Sequence, residues 1–271
     1  MRIFAISDLH TDFVENRRLV EEIPKRSYKD DVLIVAGDIA DQIETIKRTL
    51  SVLRASFKMV FFTPGNHELW VRGETYDSIE KLSRILKLCD SLDVQHSPRR
   101  VENAWVVPLF SWYDSAFDTE GDDGAELDGW ADFHFCKWPR EIGEKFEYFV
   151  ELNRPNITSY DGPVISFSHF LPRIELLPSR DYLRFKSLPR VAGCSLIERQ
   201  IRELKSIIHV FGHSHINRDC VLDGVRYVQN ALSYPRERFV TGLALKEILD
   251  LSKERSPEQG AEASSHDVLL S

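Results

Sequence analysis

Residues 213 to 215 read "HSH", placed after an apolar run and a glycine at 212. Alone the pair says little, since nine histidines in 271 residues give roughly 0.3 such pairs by chance. It gains weight from the ends of other β-rich runs: Asp8 and His10 in "SDLH", Asp38 and Asp41 in "GDIAD", Asn66, His67 and Glu68 in "GNHE", and His169 in "SFSH". In extended chain, residues two apart face the same way, so Asp8 and His10 are expected to converge on one point beyond the sheet. Ligands of α/β sheets collect outside the carboxyl ends of the strands, where all these groups fall. Carboxylate, amide and imidazole donors without cysteine suit divalent Mn, Fe or Zn better than a structural zinc knot. Two such ions about 4 Å apart can clamp a phosphoryl group and make hydroxide available for in-line attack near neutral pH.

The elements that must position these groups follow from the pattern. "RIFAIS" (2 to 7), "DVLIVAG" (31 to 37) and "KMVFFTPG" (58 to 65) read as strands ending at polar or glycine stops. Between and after them, Ile43, Ile46, Leu50, Leu53 and Phe57, then Ile79, Leu82, Leu86 and Cys89, recur at helical spacing. Strands alternating with helices predict an α/β domain with a covered sheet. After "AWVVPLF" (104 to 110) an acidic, aromatic stretch at about 111 to 140 reads as an irregular insertion, either a lid or a surface decoration. A helix near 141 to 152, a strand at 163 to 169 and a helix opened by a Ser195…Glu198 capping box follow. Asp223-Gly224 between two β-like runs predicts a hairpin. Residues 1 to 250 are read as the folded domain, and the polar 251 to 271 as a disordered tail.

In order, D-x-H, G-D-x-x-D, G-N-H-E, H and G-H-x-H resemble the calcineurin-like metallophosphoesterase superfamily, with motifs spanning residues 8 to 215. The resemblance implies a four-layer αββα sandwich of two mixed β-sheets flanked by helices, with a dimetal site at the strand C-terminal ends. It implies that Asp8, His10 and His215 hold one metal, that Asn66, His169 and His213 hold the other, and that Asp38 bridges them. His67 would protonate the leaving oxygen or stabilise its charge, with Asp41 hydrogen-bonded to it, and Glu68 would support from behind. Glycine at 212 would let backbone pass close to the site. Singly, Asp8 or Asp38 would read as a cap or turn, Asn66 as a turn residue and His169 as an interior histidine. The chain departs from the serine/threonine protein phosphatase pattern. It has "SDLHT" in place of G-D-x-H-G, and "GDIADQ" lacks the following Arg-Gly.

The expected activity is therefore metal-dependent hydrolysis of a small or medium phosphate ester, mono- or diester. A non-catalytic binding scaffold and a Mn-dependent nuclease are the alternatives. A net charge of -8 argues against wrapping long nucleic acid. No apolar run approaches the roughly 20 residues of a membrane span, and no signal peptide is read at the N-terminus. Four scattered cysteines read as reduced thiols, which fits a cytoplasmic setting. His96, His134, His209 and His266 fall outside the motifs and are expected to be structural or solvent-facing. Arg173, Arg180, Arg184, Lys186 and Arg190 follow His169 closely. One or two of them could grip an anionic substrate, the alternative being a solvated loop. Trp112, Tyr113, Trp130 and Trp138 are expected to pack under the insertion, the alternative being that they face a base or sugar ring.

Overall fold

The computed structural model describes residues 1–23, 28–121, 127, 129–238 and 243–252. Three parallel strands, β1 (Arg2–Ile6), β2 (Tyr28–Ala36) and β3 (Phe57–Thr63), form the first sheet, joined through helices α1 (Val14–Glu21) and α2 (Ile43–Ser56). α3 (Ser78–Ser91) follows, capped by the Asp77 carboxylate accepting from Ile79 N and Glu80 N. The second sheet begins with the hairpin β4 (Arg99–Val101) and β5 (Ala104–Pro108). The chain then passes α4 (Ala131–Phe135) and α5 (Lys145–Leu152) to β6 (Val164–Phe167), and α6 (Pro189–Ala192) and α7 (Ser195–Glu203) to β7 (Ser206–Phe211). A second hairpin, β8 (Arg218–Leu222) and β9 (Val225–Gln229), completes that sheet, whose order is β4-β5-β6-β7-β9-β8. Finally β10 (Lys246–Asp250) returns antiparallel to β1, so both sheets are mixed.

Alternation explains the layering. Ile3, Ala5, Val32, Ile34, Ala36 and Phe61 turn one way and meet Val106, Ile165, Phe167, Val210 and Val228 of the second sheet. The opposite faces, Phe4, Ile6, Leu33, Val35, Val60 and Phe62, meet Ile46, Leu50 and Leu53 of α2 and Ile85 of α3. Across the molecule, Phe211 and Tyr227 pack under Ile197 and Ile201 of α7. Helices, sheet, sheet and helices make the expected four layers, and the central strands are buried on both faces. Each fully buried branched side chain contributes about 2 kcal/mol to this assembly.

Several local expectations change. The helix at 195 starts without its capping box: Cys194 is the cap residue and no side chain closes it. Glu198 is claimed instead by Tyr227 Oη at 2.7 Å and Arg202 Nε at 2.6 Å. Tyr227 is buried, so its hydroxyl needs this acceptor more than a backbone N–H at a helix start does. The Asp223-Gly224 turn forms with both residues at positive φ, 47° and 82°, the geometry a two-residue hairpin needs. Leu251, assigned to the tail, is buried between the sheets with its N–H on Met1 O; residues 253 to 271, and His266 with them, lie outside the described residues. Among the described residues no helix is long and apolar enough to cross a membrane, and all four cysteines are unpaired.

His209 is structural. It is fully buried at the β6–β7 pairing, with Nδ1 2.9 Å from Ser166 Oγ and Nε2 3.0 Å from Ser168 Oγ. Burial pushes its pKa down to about 3, so the folded chain holds it neutral where the unfolded chain takes up a proton near 6.5. Its contribution is therefore intact above pH 6.5 and is lost as pH falls toward 3, at about 1.4 kcal/mol per unit. Denaturant titrations of wild type and His209→Leu between pH 6 and 4 should show the variant's stability falling less steeply by about that slope. Parallel slopes would mean that His209 does not titrate this way.

Candidate metal centre and active site

The candidate groups come together at one end of both sheets, but not through strand alternation. β1 stops at Ile6, and Asp8 and His10 lie beyond it with φ of 53° and 42°. Asp38 (56°), His213 (71°) and His215 (57°) are left-handed too. Non-glycine residues rarely adopt this conformation, and five together mark a site whose surroundings over-determine the backbone. Here the loops bond to one another. Asp8 N donates to Gly37 O, His10 N to Asp38 O, Gly212 N to His169 O, and His213 N to Asp8 Oδ1 at 2.9 Å. A parallel bridge from Ser7 to Ala231 joins the end of the first sheet to that of the second. Glycine is needed where the loops cross: a Cβ on Gly212 would stand 2.8 Å from Ala36 O and 2.9 Å from Asp8 Oδ2.

Three overlapping groups of donor atoms result, each within 4.8 Å: Asp8, His10 and His215; His10, Asp38 and His67; Asp38, His169 and His213. Asn66 Oδ1 lies 3.1 Å from His169 Nε2 and 3.2 Å from His213 Nδ1. Several rings are aimed by their outer nitrogen. His169 Nδ1 is bonded to Ala36 O (2.9 Å) and His215 Nδ1 to the Glu237 carboxylate (2.7 Å), which turns each Nε2 inward. Asn66 is aimed the same way: its Nδ2 donates to Asp132 Oδ1 at 2.8 Å, leaving Oδ1 for the centre.

The electrostatics call for positive charge. Burial opposes ionisation of Asp38, yet the neighbouring His169 and His67 imidazoles hold its carboxyl well below the usual range; Asp8 is held down against burial by His215. Reciprocally, and against burial, Asp38 raises His169 to about 9, and Asp8 with Glu237 raises His215 to about 10. His10 Nδ1 and His213 Nε2 are buried with no hydrogen-bond partner. His10 Nε2 and His215 Nε2 sit 2.9 Å apart, a spacing that can hold one shared proton or give two lone pairs to one cation. Buried carboxylates, inward imidazole nitrogens and an amide oxygen fit divalent cations.

His67 differs from expectation. No hydrogen bond links it to Asp41, whose Oδ2 pairs with Arg72 Nε at 3.2 Å. Arg72 is held over the rings of Trp70 (4.8 Å) and Phe135 (3.9 Å), within reach of Asp41. The His67 ring lies against Trp70 (3.6 Å), with Nε2 3.2 Å from Tyr234 Oη and 3.8 Å from Asp38 Oδ2. Burial pushes its pKa down to about 4, the reverse of the charged form expected. Glu68, expected as support, accepts four buried backbone N–H groups, from Asp38, Ile39, Ala40 and Gly65.

Residues 1–217 match the calcineurin-like phosphoesterase family. The chain belongs to that family. It is a hydrolase of phosphate esters that works with divalent metal ions. The [acyl-carrier-protein] phosphodiesterase PptH of Mycobacterium tuberculosis is 29% identical over 259 residues, covering 87% of this chain and 78% of that one. The crystal structure of phosphopantetheinyl hydrolase (PptH) from the same organism superposes with a TM-score of 0.75 at 27% identity, covering 95% of this calcineurin-like chain and 98% of the other.

Asp132, Trp70, Tyr234 and Glu237 were not expected at the site. Trp70 Nε1 joins Asn66 on Asp132 Oδ1 at 2.7 Å, and Tyr234 stacks on His10 at 4.2 Å. Only Asp132 left a trace in the sequence, by lying in the acidic insertion. Glu237→Gln should weaken metal binding about 10- to 100-fold, because His215 loses the anion that fixes its ring. Calorimetric titration of the stripped protein with Mn would measure this, and unchanged affinity would remove Glu237 from the centre's support.

Proposed function

We propose that this chain is a dinuclear phosphodiesterase acting on the phosphodiester of a phosphopantetheinylated acyl carrier protein. Asp8, His10 and His215 would hold one cation and Asn66, His169 and His213 the other, with Asp38 touching both; Mn, Fe and Zn all suit such donors. The overlap of the donor groups, with Asp38 shared between two of them, supports this division most directly. When bound, the cations would supply neutralisation of phosphate charge and acidification of water.

The shape of the surroundings favours a diester. A cavity of about 500 Å³ opens from Asp38, Asn66 and His213, with Trp130, Leu183, Leu188 and Ile216 along its walls. A second hollow of about 480 Å³, lined by Asp12, Phe13, Arg72 and Pro235, shares His67, Trp70 and Tyr234 with the first as a common wall. A phosphate beside this shared wall has room for an ester arm in each hollow, both of them lined mainly by apolar surface with a few charged side chains. The names of the related proteins supply the arms.

His67 would deliver a proton from Nε2 to the leaving oxygen once the negative charge of a bound phosphate offsets the burial that holds its pKa near 4. General acids of this kind contribute about 10²- to 10⁴-fold, mainly with poor leaving groups. Accordingly His67→Ala should lose far more rate on alkyl diesters than on bis(p-nitrophenyl) phosphate, with metal content unchanged. Equal losses on both substrates would move His67 to phosphate positioning.

The substrate test incubates the Mn-loaded protein with phosphopantetheinylated acyl carrier protein and follows loss of the arm by intact mass. Turnover of bis(p-nitrophenyl) phosphate without release of the arm would refute the carrier-protein reading alone. Failure on both, from folded and metal-loaded protein, would refute the phosphodiesterase reading.

A further inference from the structure

The cation-rich stretch after His169 is mostly spent internally. Arg173 pairs with Asp223 and Glu175 at 2.6 Å and approaches Glu198 at 3.6 Å. Arg180 binds Asp118 of the insertion at 2.5 Å and donates to Lys186 O, while Lys186 Nζ returns to the carbonyls of Arg180 and Asp181. These bonds close residues 180 to 186 into a clasped loop fixed to the insertion, and Trp130 Nε1 on Ser187 Oγ adds a second tie. Leu183 and Leu188 point down into the second-sheet core. What remains outside is Tyr182, 84% exposed, Phe185, 53% exposed, and Arg184, also exposed.

Two large aromatic side chains would not normally be held in water by so many bonds, whereas aromatic residues beside arginine are the usual make-up of a binding hot spot. Arg184 lies over the Phe185 ring, 5.2 Å from its centroid. The three residues line the mouth of the cavity that also contains Asp38, His213 and His215, and Arg236 stands on the same mouth. Neither Arg184 nor Arg236 has an ion-pair partner among the described residues. A chain of net charge -8 repels acidic proteins in general. These two guanidinium groups, set over the Phe185 and Tyr234 rings and without an ion-pair partner among the described residues, favour an acidic surface here and are too few to track a nucleic-acid backbone.

We propose, resting on the carrier-protein reading above, that Tyr182, Arg184 and Phe185, with Arg236 of the same cavity lining, form the docking surface for the carrier protein. The aromatic pair packs on its surface beside the modified residue, and the arginines meet carboxylates flanking that residue. The lip sets affinity for the protein substrate and leaves the chemistry at the metal centre alone.

The test is steady-state kinetics of wild type, Arg184→Glu and the double variant Tyr182→Ser/Phe185→Ser, each on phosphopantetheinylated carrier protein and on bis(p-nitrophenyl) phosphate. Each variant is expected to lose about tenfold or more in kcat/KM on the carrier protein, carried by KM, with small-diester kinetics unchanged. Unchanged carrier-protein kinetics in the variants, while wild type cleaves that substrate, overturns the docking surface and leaves the carrier-protein reading standing. Parallel losses on both substrates also overturn it, by showing that the lip shapes the site itself. A wild-type dimer dissolved by Tyr182→Ser/Phe185→Ser, with carrier kinetics intact, assigns the patch to self-association and overturns it. Wild type that cleaves no carrier protein sinks the substrate reading and this surface together.

Discussion

Asp38→Asn is expected to leave a folded protein with almost no activity on any phosphate ester and with much of its bound metal gone. The proposed roles make this residue the one shared by both cations, and its buried carboxylate already concentrates negative charge against His169 (3.4 Å) and His67 (3.8 Å). Asparagine keeps the shape and can still accept the His67 N–H now received by Asp38 Oδ1 at 3.0 Å. The fold should therefore survive while the charge is lost. Loss of an outer partner of a metal ligand costs about 10- to 100-fold, so loss of the shared ligand should exceed ~100-fold. Rate and metal content measured on the same sample decide the matter: a variant retaining both would remove Asp38 from the centre. The pattern also separates Asp38 from His67, whose replacement should spare the metal.

Glu68→Ala carries the largest expected loss of stability. One carboxylate closes two loops: Oε2 accepts from Asp38 N (2.9 Å) and Gly65 N (2.7 Å), and Oε1 from Ile39 N (2.7 Å) and Ala40 N (3.1 Å). Alanine strands four buried donors at about 1–3 kcal/mol each, a total comparable with the whole stability of an ordinary domain. A domain of this size loses roughly 2–4 °C of Tm per kcal/mol, so the melting temperature should fall by more than about 10 °C, or the chain should fail to accumulate in folded form. Glutamine does not rescue, because either orientation sets an NH₂ against two N–H donors. Differential scanning calorimetry of Glu68→Gln is the sharper experiment: a wild-type Tm would show that the four bonds carry little.

How much of this was legible depends on what each residue has to do. Asp8, His10, Asp38, Asn66, His169, His213 and His215 could be picked out because side chains able to bind metal recur at the ends of apolar runs, and the chain order of those runs is visible. Strand alternation does not account for their convergence. Five of the seven sit in left-handed turns beyond the strands. Asp132, Tyr234 and Glu237 could not be read, since they reach the centre from the short helix α4 and a single turn at 235 to 237, whose positions are set by packing. Asp41 shows the limit of spacing: its neighbour in space was decided by Arg72 resting on Trp70 and Phe135. The layered architecture is readable from continuous apolar strands, whereas β4 is three residues with two exposed arginines and β10 a short run of mixed charged and apolar residues, so neither carries a strand signal.

The proposed donors are divided between the two sheets, four from the loops of the first and three from those of the second, across the Ser7–Ala231 seam. A chain with only one sheet assembled would offer an incomplete set and would hold cations poorly. Metal availability should therefore act as an adhesive between halves, adding stability in proportion to RT ln(1 + [L]/Kd) and slowing any opening that parts them. Starved of cations, such a protein would come apart first along this seam, so that turnover in the cell would track metal supply as well as sequence.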